Sequence, residues 1–184
     1  MKETSILRLS ATLAALSLAA APIAVQAGSA PPCLTPAEFT ALSSYALPSI
    51  ITGASERCAA ALPADAWLRR NGGRLAARYA ASKPAAWPGA KAAFIKLGGG
   101  MANAEATNML KSLPDSALQP MTDALISGMV SQRLPTDRCP SVDRLVRLLS
   151  PLPPESTAEL IAVSAGLGAK TGQAKIGAMA ICPA

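Results

Sequence analysis

The sequence predicts an all-α fold: a compact bundle of about seven to nine short helices, held by up to two disulfides. Three observations predict it. Apolar residues recur three and four apart after recognisable helix starts. No segment sustains the period-two alternation of β-branched residues that a half-buried strand needs. Four cysteines, Cys33, Cys58, Cys139 and Cys182, all follow an N-terminal stretch that reads as a secretory leader.

The leader has the order that export requires. Lys2 and Arg8 supply positive charge, Leu9 to Ala21 is uncharged and rich in Leu and Ala, and Val25-Gln26-Ala27 fits the small-x-small pattern of a cleavage site. Residues 1–27 are therefore expected to be a cleaved signal peptide. Residues 28–184 are expected to be a single helical domain, with 168–184 an ill-defined tail. The apolar run is too short for a membrane span and is broken by Pro22, so no transmembrane anchor is expected.

Export makes the four cysteines disulfide candidates, and three pairings are open. Sequence proximity favours Cys33 with Cys58 and Cys139 with Cys182.

Leu34-Thr35-Pro36-Ala37-Glu38-Phe39 carries a capping box from Thr35 to Glu38, a proline suited to the first turn, and a staple of Leu34 on Phe39. A helix is expected to begin there and to stop or kink at Pro48. A second is expected over 49–62 with Ile50, Ile51, Ala54 and Cys58 inward. A short helix over 63–71 should end at Asn71-Gly72-Gly73, followed by another over 74–82. The next is expected from about Pro88 to Leu97, with Gly98-Gly99-Gly100 as its stop or a loop.

A weaker helix is expected over 103–112, and a better one over 120–133 whose stripe Leu118, Met121, Leu125 and Met129 should be buried. Ser141 should cap a helix with Val142, Leu145, Val146 and Leu149 inward and Asp143 paired to Arg147. Pro151 to Pro154 separates it from a last helix opened by the capping box Ser156 to Glu159, with Leu160, Ile161 and Leu167 as its apolar residues.

The chain contains no histidine, which removes the commonest general base, the Ser-His and Cys-His nucleophile pairs, and the commonest metal ligand. No catalytic residue, metal site or cofactor is expected. Gly166-Leu167-Gly168-Ala169-Lys170-Thr171 lacks the Gly-Lys-Ser/Thr order of a phosphate loop.

The net charge is +6 over the whole chain, and about +5 once Lys2, Glu3 and Arg8 leave with the leader. Arg69, Arg70, Arg74 and Arg78 form the densest cluster and are the candidate anion-binding residues. Arg70, Arg74 and Arg78 would share one stripe if the helix ran through Gly72-Gly73, with Trp67 and Tyr79 beside it. The expected role is non-enzymatic binding or an envelope accessory in the periplasm or outside the cell. Its partner would be an envelope protein or an anionic lipid or glycan rather than nucleic acid. The alternatives are a peripheral binder of anionic envelope lipid or polysaccharide, and a histidine-free hydrolase using carboxylates or a Ser-Lys pair.

Overall fold

The computed structural model describes residues 33–101, 104–170, 175–176 and 179–182; the expected signal peptide, residues 1–27, lies outside them. The described chain is an all-α bundle. In order it runs β1 (Cys33–Leu34), α1 (Pro36–Cys58), α2 (Trp67–Ala80), α3 (Lys83–Met101), α4 (Ala104–Ser112), α5 (Asp115–Arg133), a 3₁₀ turn (Thr136–Arg138), α6 (Cys139–Leu149), α7 (Pro154–Lys170), β2 (Lys175–Ile176) and β3 (Met179–Ile181).

The N-terminal cap forms as its residues dictate. Glu38 N–H donates to Thr35 Oγ1 at 3.2 Å and Thr35 N–H to Glu38 Oε2 at 2.8 Å, satisfying two helix-end donors reciprocally. Leu34 and Phe39 meet in one buried cluster with Ala93 and Ile181.

From this cap α1 runs straight through Pro48. Proline inside a helix removes one ladder bond and costs about 3 kcal/mol in isolation. Here residues Ser44 to Ser49 are all buried, because α2, α3, α5 and α7 pack around α1 from different sides. A helix covered all round is held by its neighbours more than by its own propensity. Ile50, expected inward, is 37% exposed.

The other expected breaks fail for related reasons. The pair Gly72-Gly73 lies inside α2, and Gly72 is buried where a Cβ would collide with Ser55 Oγ on α1. Gly72 is thus a close-approach glycine, not a helix stop. Gly98 to Gly100 continue α3, with Gly98 against Leu110 of α4. Pro88 and Pro120 sit in the second turns of α3 and α5 rather than at their starts. Ser141 and Ser156 fall inside the first turns of α6 and α7, so neither is the expected N-cap. The Gly166–Lys170 stretch is the end of α7.

The main core joins Leu47, Ile51, Ala54 and Cys58 of α1 to Leu68, Leu75, Ala76 and Tyr79 of α2, with Cys139 and Ala158 closing it. A second packs Tyr45, Trp87, Ala90 and Leu118, the two rings 5.0 Å apart. Each fully buried large side chain here contributes roughly 1.5–3 kcal/mol.

Both disulfides form, in a pairing other than the one proximity favours. Cys58 bonds Cys139 and Cys33 bonds Cys182, a nested arrangement with sequence separations of 81 and 149. The outer pairing follows from the chain ends: β1 runs parallel to β3, Cys33 opposite Ala180 and Leu34 opposite Ile181, with β2 antiparallel on β3's other side. Cys182 N–H donates to Leu34 O at 2.9 Å, bringing the two sulfurs together. The inner bond pins α6 to the end of α1.

The stripe on α5 is only half correct. Leu118 is fully buried, but Leu125 and Met129 are each 48% exposed. Leu145 on α6, expected inward, is more than half exposed, as is Leu160 on α7.

Candidate functional site

The continuity of α2 through Gly72-Gly73 changes the standing of its arginines. Residues 67, 71, 74 and 78 now lie on one helical face at successive turns. They border a shallow concavity of about 230 Å³, lined by Trp67, Asn71, Arg74, Leu75, Arg78 and Ser150. Gly72 sets this up by letting α2 approach α1 closely.

The four predicted arginines divide. Arg74 Nη2 donates to Asn71 Oδ1 at 2.5 Å, and Arg78 Nη2 donates to Ser150 O, so both guanidiniums are oriented at the concavity. Arg78 also stands 5.4 Å from the Tyr79 ring centroid. Arg70 is exposed beside Arg74 on the next stripe of the helix. Arg69 turns away, donating to Leu62 O at 2.9 Å. The site therefore keeps Arg74 and Arg78, flanked by Arg70, and loses Arg69.

The far wall is fixed from below. Tyr79, 1% exposed, donates its hydroxyl to Leu152 O at 3.0 Å and lies 3.1 Å from Thr157 Oγ1. This ties the turn between α6 and α7, and with it Ser150, to α2. The other end is held by Asp143 of α6, whose carboxylate accepts the Leu68 N–H at 2.6 Å. Asp143 thus caps α2 from a neighbouring helix instead of pairing with Arg147. A carboxylate at a helix N-terminus meets both an orphan donor and the positive end of the dipole.

Electrostatically the region is predominantly basic. Helix α2 has no acidic residue, and the lone carboxylate of α6 is Asp143. Among the described residues no carboxylate forms an ion pair with any arginine of α2 or α6. A guanidinium bonded to a neutral carbonyl keeps both its charge and further donors for an anion. Asn71 and Ser150 were not legible as site residues, although the spacing 67, 71, 74, 78 would expose Asn71 once helix continuity is granted.

A second concavity, about 350 Å³, lies on the outward side of α6 and is lined by Pro140, Ser141, Arg144, Leu145 and Leu148.

One cluster bears on a serine-lysine mechanism. Ser49 Oγ donates to Asp123 Oδ1 at 3.1 Å, and Lys83 Nζ pairs with Asp123 Oδ2 at 2.6 Å. Lys83 also stands 4.7 Å from the Tyr45 ring centroid, and burial first, then Asp123, pushes the Tyr45 phenol above its ordinary range. This arrangement is glue between α1, α3 and α5. Ser49 is buried, and an ammonium committed to a carboxylate does not accept the serine proton. Among the described residues no group of three or more acidic, Cys or His side chains could hold a metal, and no helix is long and apolar enough to cross a membrane.

No protein-family model, curated protein or solved structure matches the chain, so the reading of this site rests on its own geometry and charge.

Proposed function

We propose that this protein is an exported, non-enzymatic binding module of the cell envelope, whose ligand presents anionic groups to the α2 concavity. The observation that carries the reading is the pair Arg74 and Arg78, oriented beside Trp67 around a concavity with no carboxylate in its lining. Planar guanidiniums suit phosphate and carboxylate groups, and an adjacent indole adds apolar contact next to them. Two disulfides suit an oxidising compartment, in keeping with the leader read from the sequence.

Trp67 gives the experiment its signal. In a Trp87→Phe background it is the one remaining indole, and its emission should change when the exported, disulfide-intact protein meets an anionic partner. Vesicles containing phosphatidylglycerol and a soluble anionic polysaccharide are the two probes, each at low and high salt. Binding weakened by salt and by Arg74→Gln supports the reading; absence of salt-sensitive binding to either probe overturns it.

A further inference from the structure

The outward side of α6 has features that α2 alone does not explain. Its inward residues Cys139, Val142 and Val146 pack on the main core, and the Cys58–Cys139 bond fixes the helix there. Ser141, Arg144, Leu145 and Leu148 then share the opposite face at helical spacing. Leu145 is 55% and Leu148 69% exposed. Single exposed leucines are ordinary, but these two adjoin in one concavity beside Arg144. Ser150, the residue that follows the same helix, lines the arginine concavity of α2, so α6 borders both depressions, one on its outward side and one on its α2 side.

We infer that the protein seats on an anionic bilayer through the exposed side of α6, Leu145 and Leu148 entering the headgroup region while Arg144 and the arginines of the neighbouring α2 engage lipid phosphates. The inference rests on the anion-binding reading of α2 and names its ligand. Exposed leucines gain from an acyl boundary and gain little from a hydroxyl-rich glycan chain, whereas arginines gain from either. A helix of 11 residues is roughly 16 Å long, suited to lying in the interface and too short to span it.

Charge also selects this face over the exposed apolar positions of α7. Leu160 and Val163 sit on α7 with Glu155 and Glu159, and α7's described residues carry no arginine. An anionic surface would repel that side. A second copy docked two-fold on the α6 face would set arginine against arginine, which disfavours self-association there.

The test measures partition of the exported, disulfide-intact protein onto vesicles of equal parts phosphatidylglycerol and phosphatidylcholine, against pure phosphatidylcholine and a soluble anionic polysaccharide. Leu145→Ser/Leu148→Ser should weaken binding to the anionic vesicles roughly tenfold or more while leaving polysaccharide binding unchanged. Leu148→Trp, a substitution at an exposed position, should give blue-shifted emission on anionic vesicles. If the leucine pair changes nothing while Arg74→Gln still weakens binding, the α6 inference falls and the anion reading stands. If polysaccharide binds and vesicles do not, the bilayer is overturned as the ligand. If neither binds, both readings fall. A dimer in sedimentation that Leu145→Ser/Leu148→Ser dissolves would overturn the inference in favour of self-association.

Discussion

The lysines of α3 and the arginines of α2 are treated in opposite ways. Lys83, Lys91 and Lys96 each find a carboxylate, on Asp123, Asp115 and Glu38 respectively, and thereby tie α3 to α5 and α1. The α2 arginines with a side-chain hydrogen bond, Arg69, Arg74 and Arg78, donate to neutral oxygens. The first set neutralises charge in the service of assembly; the second orients charge without neutralising it. Position in the molecule, more than net charge, separates structural cations from available ones.

The strongest way to break this contrast is to release the basic face from its scaffold. Cys58→Ala/Cys139→Ala removes the bond that pins α6 and should cost about 4–5 kcal/mol in urea unfolding, from the loop of 81 residues it closes. The outer bond, with Cys33 and Cys182 only half-buried against the fully buried inner pair, should be reduced first under graded dithiothreitol, read by alkylation and mass spectrometry. Next in size, Gly72→Val should lose about 1–3 kcal/mol by forcing α2 off α1, and anion binding should weaken with it. Gly73→Ala, where a Cβ meets nothing within 4 Å, should instead stabilise by about 0.5–1 kcal/mol. The two adjacent glycines thus have opposite signs in thermal melts.

The contrast itself is sharpened by a matched pair. Lys83→Gln leaves Asp123 partly buried without its cation and should cost about 1–2 kcal/mol. Arg74→Gln, with no carboxylate to strand, should stay within about 0.5 kcal/mol of the parent. The smallest effect is acid sensitivity on the lysine-paired side. The Lys96 ammonium first, then the Thr35 backbone, holds the Glu38 carboxyl below the usual carboxylate range, and Lys91 chiefly does the same for Asp115. A carboxyl lowered in the folded state stabilises at neutral pH, and that contribution is lost as pH falls through its folded value. Glu38→Gln/Asp115→Asn should therefore flatten the acid limb of stability measured between neutral and strongly acidic pH.

The fold class was legible because helix starts and apolar spacing are local, and the Thr35–Glu38 box formed as written. What the sequence obscured was continuity. Pro48, Gly72-Gly73 and Gly98 to Gly100 weaken an isolated helix, yet Pro48, Gly72 and Gly98 lie where other helices pack, and at Gly72 the absence of a side chain becomes an advantage. The cystine pairing was hidden because it depends on which chain ends meet, and the meeting of β1 with β3 joins residues about 150 apart. Of the arginine cluster, the stripe was visible in outline; that Arg69 leaves it, and that Asn71 and Ser150 join it, depends on α2 and on the turn after α6. The exposed side of α6 was misread for a different reason: its apolar residues are more numerous than one buried face accommodates.

The measurement that tests this division of charge most directly is salt-dependent partition of the disulfide-intact protein onto anionic vesicles, comparing Arg74→Gln with Lys83→Gln. The account expects Arg74→Gln to weaken binding with stability unchanged, and Lys83→Gln to lower stability with binding of the folded protein unchanged. Equal loss of binding in both, or none in either, would contradict it by showing that the paired and unpaired cations act alike.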